Sequence, residues 1–352
     1  MSDRPAEKTR ELDPAVLLAA ARRKLRIREA GGGTLTIPAV PSLTERYLKK
    51  LLTAFDVLDR PFSEPEAQVL RAQLRQLIEA AWAQSPYSRL MVRYQTDARP
   101  GGGISYQIDS LIVPVAHEYD RWVKERPQPF FGSAPNAKVL HLARSLGEPS
   151  TVAILDVGAA DGRNTLPLAR EGFVTDAVEL SPEFAKILGK NLEAAGLGAN
   201  IYVGDVLDPG LPLPKGYYGL VVMAGLVVAH FRDPKHLRRL LERVSELLAP
   251  GGLVLFSIFL ALDGFEPEPQ LRELAELFWT VVFTPAELEG VLEGLPLELV
   301  DDASYVEYER QHMPESWPPT DFFEAYCAGQ DLFDLPADRP PLEMRWRTYR
   351  KR

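Results

Sequence analysis

Apolar positions in the first third of the chain recur at helical spacing. Asp13-Pro14 opens a first helix as N-cap and first helical residue, and Gly31-Gly32-Gly33 is read as its stop. Ser42 and Glu45 have capping-box spacing, after which Leu48, Leu51, Leu52 and Phe55 share one face. A third helix opens at Ser63, with Pro65 and Glu66 in its first turn and a broad stripe of Val69, Leu70, Leu74, Leu77, Ile78 and Trp82. Two alternating runs, 90–96 and 104–111, flank a glycine-rich turn and predict a hairpin. The turn's glycines are read as a flexible link rather than a phosphate cradle. His117 to Glu125 reads as a short helix, and Pro127, Pro129 and Pro135 mark a boundary.

Beyond Pro135 the rhythm changes. Short apolar runs at 152–157, 174–179, 200–204, 220–223 and 253–259 alternate with helical patterns at 164–171, 183–195 and 234–248. This is the signature of a parallel sheet with helices on both faces. Asp233 caps the last of these helices, Leu237, Leu240, Leu241, Val244 and Leu248 form its stripe, and Gly251-Gly252 stops it. Thr284, Pro285 and Glu287 open a further helix, and runs at 297–300 and 342–349 complete a sheet of seven strands. The expected organisation is a tail of about a dozen residues, a mainly helical accessory region to residue 134, and an α/β domain over 135–352.

Composition narrows the classes. No apolar run reaches the roughly 18 residues of a membrane helix. The start, Met1 to Arg10, is polar and has no apolar segment behind it, so no secretory leader is expected. Cys327 is the only cysteine, which excludes an internal disulfide and a multi-cysteine zinc site and fits a reducing, cytoplasmic setting. A net charge of -9 disfavours nucleic-acid binding, which rests on phosphate neutralisation. No cluster of acids and histidines has ligand spacing, so no metal is expected.

One segment carries chemistry. In Ile154-Leu155-Asp156-Val157-Gly158-Ala159-Ala160-Asp161-Gly162-Arg163-Asn164 a buried strand ends in a glycine turn and a helix follows. Gly158 and Gly162 permit a tight path and close approach of a ligand, and the helix start offers N–H groups to a carboxylate. The next strand ends in Glu179, suited to accept from a ribose diol. The third ends in Gly204-Asp205, where Asp205 is placed to accept from an adenine amine. The loop lacks the G-x-G-x-x-G spacing of dinucleotide sites, and Asp156 stands where a carboxylate meets an amino group.

In Asp156-Val-Gly158-Ala-Ala-Asp-Gly162, Glu179, Gly204-Asp205 and Ala249-Pro-Gly-Gly, in that order, the chain resembles the class I S-adenosylmethionine-dependent methyltransferases. Gly162-Arg163-Asn164, Leu168-Ala169 and Gly172 are similar to the tellurite-resistance-type small-molecule subgroup, with support from Phe283-Thr284-Pro285-Ala286-Glu287-Leu288. The resemblance implies a Rossmann-like fold and S-adenosylmethionine as cofactor. It implies backbone at Gly158 and Ala159 against the methionine moiety, with Gly162 and Asn164 in the same binding loop. It places Asp156 at the amino group, Glu179 at the ribose, Leu180 on adenine, Asp205 and Val206 at the adenine edge, and Met223 and Ala224 beneath the sulfonium. Two positions depart from the family pattern: Ala160 replaces the loop's middle glycine, and Gly219 replaces an aspartate at the start of the fourth strand.

The loop after that strand holds His230, a candidate general base near neutral pKa. Two aromatic insertions, 260–283 and 309–341, are expected to wall an acceptor pocket, with Trp279, His312, Trp317 and Phe322 as lining residues. The expected reaction is in-line methyl transfer to a small, apolar or aromatic acceptor. A regulatory protein that binds S-adenosylmethionine without turnover, or an enzyme of a protein or peptide acceptor, is the competing reading. The N-terminal helices must bury their stripes, over the cofactor mouth or at a homodimer contact.

Overall fold

The computed structural model describes residues 13–26, 31–97, 103–262, 264–333 and 341–352. The expected N-terminal tail, the centre of the glycine-rich hairpin turn and the end of the second aromatic insertion lie outside these residues. The chain forms two units, Met1–Val113 and Pro114–Arg352.

The first unit contains α1 (Pro14–Arg26), β1 (Gly32–Pro38), α2 (Thr44–Val57), α3 (Glu64–Gln84), β2 (Arg89–Thr96) and β3 (Ile104–Leu111). Asp13 caps α1, its carboxylate accepting from Ala15 N at 2.8 Å. Ser63 and Glu66 make the expected capping box on α3. The hairpin forms as predicted, but β2 also pairs with β1, from Gly32↔Gln95 to Pro38↔Arg89. The glycine triplet therefore begins a strand. Leu35 and Ile37 alternate with Thr34 and Thr36, the period-2 pattern of a half-buried strand, and Ile37 joins a core made by Leu51 and Phe55 of α2 and Leu70, Leu74 and Ile78 of α3.

The second unit contains α4 (Val115–Glu125), α5 (Ala137–Arg144), β4 (Ala153–Val157), α6 (Thr165–Arg170), β5 (Val174–Glu179), α7 (Pro182–Ala195), β6 (Asn200–Val203), β7 (Tyr218–Met223), α8 (Pro234–Leu247), β8 (Leu248–Ala261), α9 (Pro269–Leu277), β9 (Val282–Phe283), α10 (Pro285–Leu292), β10 (Leu297–Ser304), α11 (Tyr305–His312), α12 (Phe323–Cys327) and β11 (Leu342–Lys351). The sheet order is β10-β11-β8-β7-β4-β5-β6, with the two-residue β9 beside β8. Strands β6, β5, β4, β7 and β8 are parallel, and β11 runs antiparallel between β8 and β10. This is the expected seven-stranded, mostly parallel Rossmann-like sheet, with β9 in addition. Helix α4 belongs to this unit rather than to the accessory region ending at 134. Its Tyr119 ring meets Phe184 of α7 edge-on at 6.0 Å, and Ser181 Oγ at the start of α7 donates to its Asp120 at 2.6 Å.

Both faces of the sheet are covered, so its strands are apolar in succession rather than in alternation. Leu155, Val221, Val254 and Phe256 face Leu237, Leu240, Leu241 and Val244 of α8. Ile154, Leu220, Val222 and Leu255 face Val139 and Ala143 of α5, with Tyr305 and Trp346. Asp233 caps α8, and Thr284 with Glu287 boxes α10, as expected. Strand β8 starts earlier than predicted. Tyr218 pairs with Leu248 and Leu220 with Leu253, so Ala249-Pro250-Gly251-Gly252 bulges out of a continuous strand. Strand order reverses at β4, whose neighbours are β5 and β7, and it is beyond the carboxyl ends at such a switch point that open α/β sheets bind ligands.

Candidate active site

The glycine turn lies at this switch point. Gly158 and Gly162 have φ of 73° and 94°, and Ala160 takes φ 48°. A Cβ on Gly158 would lie 2.5 Å from Val227 Cγ2, and one on Gly162 would lie 2.1 Å from Leu166 Cδ1. Glycine suits the left-handed path at both positions, and a side chain there would also have to displace the methyl tips of Val227 or Leu166. Ala160 shows how its position does without one. The left-handed region costs an L-residue about 1–2 kcal/mol, and Ala160 N–H donates to Glu179 Oε2 at 2.8 Å. Glu179 Oε1 accepts Ser181 N–H at 2.8 Å, so one buried carboxylate ties the turn to the end of β5. Burial pushes Glu179 up to about 6 against these backbone bonds, with the nearby Asp156 adding to the rise. Burial also pushes Asp156 up to about 6, opposed by the Thr165 hydroxyl, which donates to it at 2.6 Å, and by Arg163.

The other expected cofactor residues divide by accessibility. Gly158 and Asp205 are exposed, and Ala160, Leu180 and Ala224 are half-buried. Asp205 turns one oxygen to its own loop, accepting from Leu207 N at 2.9 Å, and Val206 packs inward. Met223 is 0 % exposed and Asp156 2 %, and Glu179 and Ala159 are buried as well, so these side chains form the floor under the turn. Asn164 is put to structural use. Its Oδ1 accepts Asn136 N–H at 2.9 Å and its Nδ2 donates to Asn136 Oδ1 at 3.3 Å. Asn136 in turn accepts from Arg163 at 2.8 Å, so this amide cluster holds the turn from behind.

On the β7 side, Val227 sits over Gly158, and the short 3-10 turn Val228–His230 follows. His230 Nε2 lies 2.7 Å from Tyr119 Oη of α4. The two rings meet edge-on at 5.5 Å, and Trp279 approaches His230 at 5.8 Å and Tyr119 at 5.2 Å. Trp122 packs on Trp279 at 4.6 Å. Burial pushes His230 down to about 4, so the ring is neutral at physiological pH. Trp279 has φ 60° in the turn that ends α9. Its N–H donates to Glu276 O and Thr280 N–H to Ala275 O, a Schellman closure with tryptophan where glycine is usual. Tyr326 Oη donates to Trp279 O at 2.7 Å and holds it there. Arg232 pairs with Glu276, joining the His230 loop to α9, and burial pushes that glutamate up to about 7 despite the arginine.

Residues 154–252 match the methyltransferase domain family. A ubiquinone biosynthesis O-methyltransferase of Xanthomonas axonopodis pv. citri is 25% identical over 196 residues, covering 53% of this chain and 79% of the relative. Another, from Caulobacter sp., is 30% identical over 154 residues, 42% and 59% of the two chains. The crystal structure of geranyl diphosphate C-methyltransferase from Streptomyces coelicolor A3(2) aligns with a TM-score of 0.51 at 13% identity, covering 68% of this chain and 99% of that one, a likeness of fold. The chain is an S-adenosylmethionine-dependent methyltransferase. The turn fits that cofactor. Gly158 offers bare, exposed backbone. Asp161 Oδ1 in the same turn is buried without a hydrogen-bond partner. Glu179 accepts backbone N–H groups on both oxygens, and two carboxylate oxygens have about four acceptor directions between them. A ligand carrying an ammonium, a sulfonium and a donor diol suits this set of carboxylates.

The methyltransferase's expected pocket residues are not gathered in one place. Trp279 stands with His230. Trp317 packs 6.3 Å from Tyr305 and 6.1 Å from Phe323, and its Nε1 donates to Glu324 at 2.8 Å. His312 lies at the surface end of α11, stacked on Tyr308 and edge-on to His141. Phe322 is 50 % exposed. Aromatic content alone does not mark a pocket, because aromatic rings pack insertions onto sheets as readily as they line pockets. Tyr119 and Trp122, which the sequence does not single out, stand beside His230 and Trp279. Their signal is an i, i+3 aromatic pair on an otherwise charged helix, which the proline boundary assigned to another region. Among the described residues no group of three or more histidines, cysteines or acids is placed to hold a metal.

Proposed function

We propose that the enzyme methylates a hydroxyl oxygen of a small aromatic acceptor, a phenol or catechol, seated between the His230 loop and the turn ending α9. The observation that carries this reading is His230 itself. It is a neutral imidazole three residues beyond Val227, the valine beside Gly158, with Trp279 across its ring. When bound, S-adenosylmethionine supplies a methyl carbon activated by its sulfonium. The walls around His230 align the acceptor oxygen with that carbon, and positioning of this kind is worth on the order of 7–11 kcal/mol. His230 takes the hydroxyl proton. Burial that holds its pKa near 4 makes it a weak base, which suits an acidic phenol better than an alcohol.

Gly158, Ala159, Glu179, Leu180, Asp205 and Val206 carry the cofactor in this reading. The O-methylation named for the ubiquinone-biosynthesis relatives and the small-molecule subgroup suggested by Gly162-Arg163-Asn164 support it. The test is transfer of labelled methyl to catechol and 3,4-dihydroxybenzoate, with benzyl alcohol, aniline and a lysine-rich peptide as competitors. Catechol methylation that falls roughly 10²-fold or more in His230→Ala is expected. Preferential labelling of the peptide or amine, or an unaffected His230→Ala, overturns the reading.

A further inference from the structure

Helix α4 is the element that the sequence assigned elsewhere, and two consecutive residues of it touch the two ends of the site. Asp120 accepts from Ser181 Oγ at 2.6 Å, and Ser181 N–H donates to Glu179 at 2.8 Å, so this contact reaches the ribose-binding acid. Tyr119, one residue earlier, contacts His230 Nε2 at 2.7 Å. A neutral imidazole carries one proton, and its partner decides which nitrogen keeps it. Nδ1 of His230 has no hydrogen-bond partner among the described residues, so Nε2 is the nitrogen held in place.

We propose that Tyr119 is a positioning residue of the methyl transfer: its phenol oxygen accepts Nε2–H, fixes that tautomer and ring orientation, and turns the Nδ1 lone pair to the acceptor. The inference rests on His230 being the base. As the acceptor oxygen bonds to the methyl carbon and the sulfur–carbon bond breaks, the hydroxyl proton passes to Nδ1. The resulting imidazolium is stabilised because its Nε2–H is already directed at Tyr119 Oη, and a hydrogen bond to a charged group is stronger than one to a neutral group. The arrangement is that of an orienting group behind a histidine base, with a phenol in place of a carboxylate. Trp279, against both rings, keeps water from the pair. Of the charged groups beside the pair, Arg232 is paired with Glu276, Glu118 with Arg121, and Asp120 accepts from Ser181 Oγ.

The experiment is Tyr119→Phe, which keeps the ring and removes one oxygen. Nitrogen-15 spectra of histidine-labelled protein need no acceptor. In the wild type, one of the five histidines, assigned by its loss in His230→Gln, is expected to stay neutral over pH about 5–8 with a slowly exchanging Nε2–H. In Tyr119→Phe that protected proton is expected to vanish. With catechol as probe, kcat should fall about tenfold while the affinity for S-adenosylhomocysteine stays within twofold. A protected Nε2–H that survives in Tyr119→Phe overturns the proposal. So does an Nδ1–H tautomer in the wild type, or a loss of cofactor affinity matching the loss of turnover. If catechol is not a substrate but the spectra change as expected, the choice of acceptor fails and the role of Tyr119 stands.

Discussion

Replacing Glu179 with glutamine removes one acceptor from a group that ties the turn and, in the proposed function, also holds the cofactor's ribose. Its oxygens each take a backbone N–H at 2.8 Å, from Ala160 and from Ser181, at a position 4 % exposed. Glutamine has one carbonyl oxygen, so one of these N–H groups meets an amide NH₂ instead. An unpaired buried donor costs about 1–3 kcal/mol. At roughly 2–4 °C per kcal/mol, Tm should fall by about 2–12 °C. The cofactor's diol also loses a charge-assisted partner worth about 1.5–3 kcal/mol. At 1.4 kcal/mol per factor of ten, the affinity for S-adenosylhomocysteine should weaken about 10- to 100-fold. Calorimetric titration near pH 7.5, on a variant whose circular dichroism matches wild type, makes the measurement. A lower Tm with Kd within threefold of wild type would show that Glu179 only ties the turn, and the assignment to the ribose would be refuted.

Further expectations follow from the same geometry. At Trp279 the left-handed backbone reverses the usual ranking, so Trp279→Gly should be about 1 kcal/mol more stable than Trp279→Ala by denaturant unfolding, since both lose the same indole. Trp317→Ala should lower Tm by several degrees and leave the acceptor's KM unchanged per folded molecule, because the indole packs on Tyr305 and Phe323. Stability should also depend on pH through the buried acids. Asp156, Glu179 and Glu276 are raised above their unfolded values, so their stabilisation is present below about pH 4 and is lost as pH rises through 6 to 7. His230, His236 and His141 are lowered by burial and act in the opposite sense, while Asp161 and Glu309 are raised and add to the acids. The ligand-free enzyme should therefore melt higher near pH 5.5 than near pH 7.5 by scanning fluorimetry. Saturating S-adenosylmethionine, whose positive charges favour the ionised carboxylates, should narrow that difference.

The legible parts of the sequence were those whose signal is local. The turn from Gly158 to Gly162 combines a buried strand, two glycines and a helix start within a dozen residues, and the caps at Ser63, Asp233 and Thr284 are one-turn patterns. What escaped depends on distant partners. Residues 32–38 become a strand only because 89–96 lies alongside. Helix α4 joins the site through Phe184 and His230, 65 and 111 residues further on, while three prolines after it imitate a domain boundary. Asn164 reads as a ligand in a binding loop, yet its amide is taken up by Asn136, a partner 28 residues away. Side-chain type alone could not separate Trp279, beside His230, from Trp317, packed against α11 and α12.

The position of β11 has a consequence for how the chain folds. This strand lies between β8 and β10, both of which precede it in sequence, and it carries the fully buried Trp346 that packs on Tyr305. Until residues 342–351 arrive, β8 presents an open edge of apolar strand and β10 has no neighbour. Pairings across such sequence separations form slowly, and a bare edge invites pairing between molecules. A substitution that weakens β11 is therefore expected to appear first as aggregation during refolding. The glycine turn at the opposite side of the sheet, built from β4 and β5, would already be formed.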